Sequence, residues 1–258
     1  MVIGCATDME HYQMLKDLGF DYIELQGKAV CAMDDKQYQS VVNTVRQGTL
    51  PCMGFNAYCG KDVIIAGPGF NAANAFSYAK KCAKRAEGLG VRTVEIGSPF
   101  SRMLPEGYDR GLAKKQAVDF FAATATAFGV YDIAVCVEAL GVCFCNFINT
   151  VEEAVEIIKA AEMPNLGLIL DFYNMEHNSE ADMDLAPYGQ YIRTVHISDD
   201  DGSPQRRYFL KAEKYPIHQS RILRLMETGY DGAITIEIDL QVDPSLAGDN
   251  LRFLKSML

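Results

Sequence analysis

Short apolar runs alternate with longer amphipathic segments from one end of the chain to the other. Eight of the short runs have the length and the β-branched or aromatic content of buried strands. They cover residues 2–7, 21–26, 50–58, 92–98, 133–140, 166–172, 192–198 and 233–239. The segments between them repeat apolar residues at roughly the 3.6-residue period of a helix. Each predicted strand is therefore followed by a predicted helix.

Local signals support this alternation at two helix ends. Gly90 stands at the end of one amphipathic segment, where a helix C-cap favours glycine. Thr150 and Glu153 have the pattern of a capping box at the start of another. The sixth helical segment, around 184–191, is short, and residues 200–216 are polar and rich in turn formers. We expect a long βα loop at 200–216, and loops of this length are often functional.

The number of repeats decides between one domain and two. A chain of 258 residues suits either two small domains or one α/β barrel of about 250 residues. No Pro/Ser-rich linker and no shift in composition marks a boundary. The sequence therefore predicts an α/β fold made of a single (β/α)8 TIM barrel that spans residues 1–258.

The charge balance argues against polyanionic partners. The chain has 24 Lys and Arg against 34 Asp and Glu, a formal net charge of −10. Such a surface repels phosphate within a Debye length of about 8 Å, and no basic run reverses it locally. We therefore expect no nucleic acid and no membrane as partners. The first residues carry no basic segment, and no run reaches the roughly 18 apolar residues of a membrane span, which predicts a cytoplasmic protein.

The eight cysteines include no C-x-x-C pair, so neither a zinc ribbon nor a thioredoxin-like motif is predicted. Several lie inside apolar runs, as Cys136 does, where cysteine packs as a small hydrophobic residue. Cys143 and Cys145 form a C-x-C in a predicted loop, which could bind a metal, although a packing role is favoured. We expect all eight cysteines to be reduced thiols.

Four polar side chains stand near the ends of the last four predicted strands, where a purely structural strand would carry Val or Ile. They are Glu138, Asp171, His196 and Glu237. They are separated by 33, 25 and 41 residues, and each separation fits one βα repeat. We therefore expect them side by side at the mouth of the barrel. The residues two positions earlier share their inward direction and should fill the layer below: Cys136, Ile169, Thr194 and Thr235.

This group of side chains predicts a divalent metal site. One acidic residue at a strand end is usually a surface group or a helix cap, but four polar residues in corresponding places favour a common role. Three carboxylates converging on one point repel one another unless a cation neutralises them. Oxygen-rich ligation with a single imidazole suits Mn²⁺, Zn²⁺ or Mg²⁺, and the residues alone do not rank these ions.

Five fragments, spread over essentially the whole chain, carry a resemblance to a known group. They are GFDYIEL, EALGVCFCNFINTVEEA, LGLILDFYNM, VHISDDDG and GYDGAITIE. In this order they resemble the xylose isomerase-like TIM barrels of the sugar phosphate isomerase/epimerase superfamily. That group includes ketose 3-epimerases, inosose isomerases and dehydratases, and endonuclease IV. The resemblance implies one divalent ion, commonly Mn²⁺ or Zn²⁺, bound by the four residues at positions 138, 171, 196 and 237.

The resemblance also implies a reaction. Glu138 and Glu237 would be the catalytic acid/base pair of an isomerase or epimerase that acts on a carbohydrate or cyclitol ketone through an enediolate. Proton transfer on opposite faces of the enediolate inverts one carbon and gives epimerisation. Return of the proton to the neighbouring carbon gives aldose–ketose isomerisation.

The expected substrate contacts depart from those of ketose 3-epimerases at three positions. Asn174 stands where those enzymes carry the histidine of D-x-x-H, and Phe144 stands where they carry an acidic residue. Their arginine after the seventh strand falls on Gly202 here, and the nearest arginines are Arg206 and Arg207. These departures favour a modified sugar, a cyclitol or a keto-sugar derivative over a free ketohexose.

Several further polar residues near strand ends are candidate substrate contacts. Together they are Glu24, Asn56, Ser98, Asn174, His177 and Arg206. His177 could replace the missing histidine. Glu24 and Glu95 stand at matching positions in the second and fourth predicted strands, near the pocket. Each also has an ordinary interpretation as a turn former, a solvated loop residue or half of an ion pair.

Other functions remain open from the sequence. An inosose dehydratase-like lyase would begin with the same proton abstraction and then expel a hydroxyl. An endonuclease IV-like hydrolase needs several zinc ions and many histidines, whereas this chain has four histidines in all. A sugar-binding protein without turnover is a further alternative. Relatives frequently form dimers or tetramers, which leaves a homo-oligomer open.

Overall fold

A computed structural model of the protein describes residues 1–60, 62–239 and 242–258. The barrel strands are β1 (Val2–Ala6), β2 (Tyr22–Gln26), β3 (Cys52–Asn56), β4 (Thr93–Ile96), β5 (Ala134–Glu138), β6 (Leu166–Asp171), β7 (Ile192–Ile197) and β10 (Ala233–Glu237). Neighbouring strands are parallel, and they close in the order β1-β10-β7-β6-β5-β4-β3-β2. An antiparallel hairpin of β8 (Asp199–Asp200) and β9 (Arg207–Tyr208) lies outside the barrel. The predicted fold and all eight predicted strands are confirmed.

Helices surround the barrel. They are α1 (Tyr12–Leu18), α2 (Gly27–Ala32), α3 (Asp35–Gln47), α4 (Ala72–Leu89), α5 (Arg110–Gly129), α6 (Val151–Ala161), α7 (Phe172–His177), α8 (Tyr215–Glu227) and α9 (Pro244–Lys255). Gly90 ends α4 in the left-handed conformation, and Thr150 and Glu153 cap α6 reciprocally, as predicted. Within the described ranges, no helix has both the length and the apolarity needed to cross a bilayer.

Two segments differ from their predictions around β6 and β7. The helix after β6 begins at once, at Phe172, because the Asp171 side chain accepts hydrogen bonds from the Tyr173 and Asn174 backbone N–H groups. Residues 184–191 contain only a one-turn 3-10 helix, at Gly189–Tyr191. The predicted loop 200–216 holds the β8–β9 hairpin, so it has regular structure of its own.

Glycines on the strands make room for a polar barrel interior. A Cβ on Gly4 would overlap the ring of Tyr22, whose hydroxyl passes β1 to reach Thr235 on β10. A Cβ on Gly54 would lie 2.7 Å from Glu24 Cγ and 2.8 Å from Glu95 Oε1. The four residues of the layer predicted from strand parity, 136, 169, 194 and 235, are all buried. The core at this level therefore combines apolar side chains with hydrogen-bonded polar ones.

One pair of cysteines differs from expectation. Cys31 on α2 and Cys82 on α4 form a disulfide, with their Cα atoms 5.4 Å apart. The expectation of eight reduced thiols is therefore wrong for this pair, because the packing of α2 on α4 brings together residues 51 positions apart in the sequence. The other six cysteines are free, and Cys143 and Cys145 are among them.

Candidate metal centre

The ends of β5, β6, β7 and β10 bring four acidic or imidazole side chains together. Each of Glu138, Asp171, His196 and Glu237 offers one ligand atom, and these atoms lie within 4.8 Å of one another. The first three residues are buried, and the Glu237 side chain is 19% exposed. The convergence expected from the sequence spacing is therefore present in the fold.

The position of Glu138 depends on a neighbour that has no side chain. Gly97 follows β4, the strand beside β5, and a Cβ at that position would overlap Glu138 Oε2. Because the overlapping atom is the end of a flexible side chain, a substitution here would displace the carboxylate rather than unfold the strand. Spacing rules applied to polar residues could not identify this requirement.

Asn174 links two of the carboxylates. Its Nδ2 donates hydrogen bonds to Glu138 Oε1 at 2.8 Å and to Asp171 Oδ2 at 3.0 Å. Its Oδ1 accepts from the Gly141 backbone N–H at 3.0 Å. This network holds the amide within the centre.

Arg207 enters the centre from the β8–β9 hairpin. Its Nη2 lies 2.7 Å from Asp171 Oδ2, and its Nη1 lies 3.1 Å from Glu237 Oε2. Arg206 instead faces solvent and pairs with Asp201 at 3.2 Å. Of the two arginines named from the sequence, only Arg207 thus reaches the four-residue cluster. The hairpin inserts residues between His196 and the arginine, so a fixed spacing from His196 could not identify it.

The pKa values of the two glutamates are displaced in opposite directions. Burial raises the pKa of Glu138 well above its ordinary range, and the charges of Asp171 and Glu237 raise it further. Burial also acts to raise the pKa of Glu237, but the positive charges of Arg207 and His196 outweigh it and lower that pKa to about 2. One glutamate therefore favours its protonated form and the other its ionised form.

The residues of this centre fit a divalent metal ion. Three carboxylates and one imidazole form an oxygen-rich donor set of the kind that Mn²⁺, Zn²⁺ and Mg²⁺ accept. Burial and, after it, the charges of Asp171 and Glu237 raise the pKa of Glu138, so ionisation of all three carboxylates together is disfavoured. An additional cation would relieve this repulsion.

Aromatic side chains cover the centre on one side. The Arg207 guanidinium lies 4.9 Å from the Tyr173 ring centroid and 5.9 Å from that of Phe144. The Tyr173 hydroxyl donates to Pro204 O in the hairpin at 3.0 Å. His177 packs edge-on against Tyr173, with ring centroids 4.6 Å apart. His177 thus packs on this cover and is not a member of the four-residue cluster.

A cavity of about 290 Å³ opens beside Glu237. Its walls come from the carboxyl ends of β2, β3 and β10 and the segments that follow β1, β2 and β10, and include Thr7, Asp8, Gln26, Lys28, Asn56 and Asp239. Within the described residues, Asn56 Oδ1 is buried here without a hydrogen-bond partner. This polar cavity is the space in which a substrate could reach Glu237.

Two of the sequence candidates lie away from this cavity. Ser98 accepts a hydrogen bond from the Cys59 backbone N–H at 3.1 Å and shapes the turn after β4, where its own φ is 50°. Glu24 lies inside the barrel, 1% exposed, and both of its carboxylate oxygens are hydrogen-bonded. Neither residue lines the cavity.

The hairpin that carries Arg207 is anchored at its base by Asp199. The Oδ2 atom of Asp199 accepts from His218 Nε2 at 3.0 Å and from the Lys211 backbone N–H at 2.8 Å. Lys214 Nζ lies 3.1 Å from Oδ1. Burial raises the pKa of Asp199, but the hydrogen bond and charge of His218 outweigh it, and the pKa falls to about 2.

Replacement of Asp199 by asparagine should reduce stability in a pH-dependent manner. The folded pKa of about 2 lies below the ordinary value of 3.8, so the carboxylate stabilises the fold by about 2 kcal/mol above pH 4. This contribution is lost as the pH falls from about 4 towards 2. Urea unfolding at pH 7 and pH 3 measures this contribution. The difference in unfolding free energy between wild type and Asp199→Asn should be smaller at pH 3.

Asp182 provides the matched control for this measurement. Its side chain is fully exposed and pairs with Arg224 at 3.3 Å. Asp182→Asn should therefore change the unfolding free energy little at either pH. If the difference in unfolding free energy between wild type and Asp199→Asn stays constant between pH 7 and pH 3, the assignment of a low pKa to Asp199 is contradicted.

The family model described as xylose isomerase-like TIM barrel matches residues 12–257. The chain belongs to this family. The resemblance carried by the five sequence fragments is confirmed.

Individual relatives are distant in sequence. An inosose isomerase of Halalkalibacterium halodurans is 23% identical over 253 residues, which cover 90% of this chain and 85% of that protein. The structure of a Methylomonas sp. D-allulose 3-epimerase in complex with D-allulose is 18% identical, with a TM-score of 0.78 and coverage of 100% of this chain and 97% of that one. The IolI protein with a bound zinc atom is 20% identical, with a TM-score of 0.71 and coverage of 100% and 96%. At these identities, the structural likeness establishes a shared fold.

Proposed function

We propose that this member of the xylose isomerase-like family is a divalent-metal-dependent isomerase or epimerase of a carbohydrate or cyclitol ketone. One observation carries the proposal. Two glutamates from different strands, Glu138 on β5 and Glu237 on β10, meet in a cluster whose other members are Asp171 and His196. This arrangement supplies two proton-transfer groups and a cation site at the same point.

The four clustered residues would hold the metal ion. When bound, the ion would supply Lewis acidity that stabilises negative charge on a substrate carbonyl oxygen. The same donor set occupies the carboxyl ends of the barrel strands, where TIM-barrel enzymes place their chemistry. The zinc atom in the IolI structure supports a metal in this fold.

The chain's own residues account for the proton transfers. Glu237 borders the cavity, is hydrogen-bonded to His196 Nδ1 at 3.0 Å and is paired with Arg207. From this position it can take a proton from the carbon beside the substrate carbonyl. Glu138, whose Oε1 accepts from Asn174, can return a proton from another direction. Return to the same carbon on the opposite face is epimerisation, and return to the neighbouring carbon is isomerisation.

The surroundings of the pair support a polyhydroxylated substrate. The Tyr173 and Phe144 rings and the hairpin cover one side of the centre, which limits access of water. On the open side, Asn56 lines the cavity, and its buried Oδ1 has no hydrogen-bond partner among the described residues. Arg207 contributes donors beside Glu237, whereas both Asn174 N–H donors are already held by Glu138 and Asp171. We propose Asn56 and Arg207 as substrate contacts.

Deuterium incorporation tests this function directly. The metal-loaded protein is incubated in D₂O with a panel of free ketoses, 3-keto-glycosides and inososes, and the products are analysed by NMR and mass spectrometry. We expect one solvent deuterium per turnover at a carbon beside a carbonyl. Apart from this label, the product should be an isomer of the substrate that has lost no water. Loss of water from the product would identify a dehydratase instead. Binding of a panel compound without any exchange would contradict an enzymatic role.

The endonuclease IV-like alternative lacks support in the fold. It requires many histidines around several zinc ions, and of the four histidines only His196 lies in the cluster. His218 is bound to Asp199, His177 packs on Tyr173, and His11 is hydrogen-bonded to Thr7. We therefore do not propose hydrolysis of nucleic acid.

A further inference from the structure

A second pair of buried carboxyl groups lies within the barrel beside His196. Glu24 on β2 is 1% exposed and Glu95 on β4 is 2% exposed. Gly54 on the intervening strand β3 leaves the space that both side chains occupy. Two buried acids are costly to retain, so their contacts indicate what each of them does.

Glu24 is held at both carboxylate oxygens. Its Oε2 lies 2.9 Å from His196 Nε2, and its Oε1 accepts a hydrogen bond from Thr235 Oγ1. The Thr235 hydroxyl is in turn 2.6 Å from the Tyr22 hydroxyl. The carboxylate is therefore fixed by residues of β2 and β10 before it meets the imidazole of β7.

We propose that Glu24 is a positioning residue that holds the His196 imidazole with Nδ1 directed at the metal centre. An imidazole can rotate about its Cβ–Cγ bond, and either nitrogen can carry the proton. A carboxylate acceptor at Nε2 receives the N–H of that nitrogen and fixes the orientation of the ring, so that Nδ1 lies at the cluster, 3.0 Å from Glu237 Oε2. This inference rests on the proposed metal site.

Glu95 has a similar location but different contacts. Its Oε2 lies 3.7 Å from His196 Nε2, beyond hydrogen-bond distance, and has no partner within the described residues. Its Oε1 accepts from Thr93 Oγ1 at 2.7 Å. Glu95 is therefore equally buried and within ion-pair distance of the same ring but outside hydrogen-bond reach, which makes it a control for burial and charge.

Metal affinity gives the first readout. The dissociation constants of Zn²⁺ and Mn²⁺ alone are measured by calorimetry for wild type, Glu24→Leu, Glu24→Gln and Glu95→Gln. Loss of the acceptor in Glu24→Leu should weaken binding by about 10- to 100-fold. Glu24→Gln keeps a neutral carbonyl acceptor of the same length and should recover part of this loss. Glu95→Gln should bind as wild type does.

The ring N–H of His196 gives a second readout, which does not require a metal. In protein with ¹⁵N-labelled histidine, only four rings contribute signals. We expect a hydrogen-bonded Nε2–H of His196 that is protected from solvent exchange in wild type and Glu95→Gln. It should be shifted in Glu24→Gln and lost in Glu24→Leu. If Glu24→Leu fails to fold, the shift in Glu24→Gln decides.

The two readouts separate the two proposals. A wild-type protein that binds neither ion overturns the proposed metal site, and the N–H signal of the metal-free protein then still decides the role of Glu24. Tight ion binding that is unchanged in Glu24→Gln, together with an unshifted Nε2–H, overturns the positioning role. An equal loss in Glu95→Gln also overturns it, because burial of any acid would then explain the effect.

Discussion

Replacement of Glu237 by glutamine is expected to slow deuterium exchange into substrate by about 10²- to 10⁴-fold. Glutamine has nearly the same shape as glutamate, but its amide cannot accept the proton. In the fold Glu237 borders the cavity and contacts both His196 and Arg207. The exchange rate, followed by NMR at saturating substrate, measures the effect.

The control for this variant is Glu180→Gln. Glu180 is half-buried and accepts a hydrogen bond from the Val151 backbone N–H at the start of α6, outside the cluster. We expect unchanged exchange in Glu180→Gln, and a folded state in both variants as judged by circular dichroism. Full exchange activity in Glu237→Gln would eliminate the scheme with two glutamates.

Removal of divalent metal is the second change with a large expected effect. Dialysis against a strong chelator should abolish turnover, and addition of Mn²⁺ or Zn²⁺ should restore it, because the charge on the carbonyl oxygen would otherwise be unstabilised. Ion binding should also stabilise the fold, by about 2.7 kcal/mol at a free concentration 100 times the dissociation constant. Elemental analysis, activity and thermal unfolding are measured on the same samples.

Asp171→Asn provides a matched variant for the chelation experiment. Asparagine can replace aspartate as the cap of α7, so the local helix should persist, while the charge on Oδ2 is lost. We expect this variant to need far more metal for any recovery of activity. Protein that is free of metal by elemental analysis and still fully active would contradict a metal-dependent reaction.

The strand ends were the most informative part of the sequence. The positions 138, 171, 196 and 237 could be predicted because a charged or imidazole side chain in an otherwise apolar strand is costly unless it is used. Because the strands of the closed barrel are parallel, all of their carboxyl ends lie at the same face. The periodicity of the apolar residues and the separations between the four polar residues were therefore sufficient to predict the four-residue cluster.

Residues brought in by loops could not be predicted in the same way. Arg207 reaches the centre because a hairpin folds back after β7, and the register Asp200–Arg207 depends on that turn. The Cys31–Cys82 pair depends on how α2 packs against α4. The sequence predicts Glu24 as a substrate contact. Its place on β2 gives no indication that His196 and Thr235 occupy both of its carboxylate oxygens.

The space beside Glu138 has a consequence for how this sequence can change during evolution. Gly97 leaves room for the carboxylate of Glu138, so any side chain at position 97 would push that carboxylate away. A side chain at position 97 is therefore incompatible with the present position of the Glu138 carboxylate, although Gly97 follows β4 and carries no functional group itself. Drift at position 97 would remove the proposed chemistry while leaving the barrel folded.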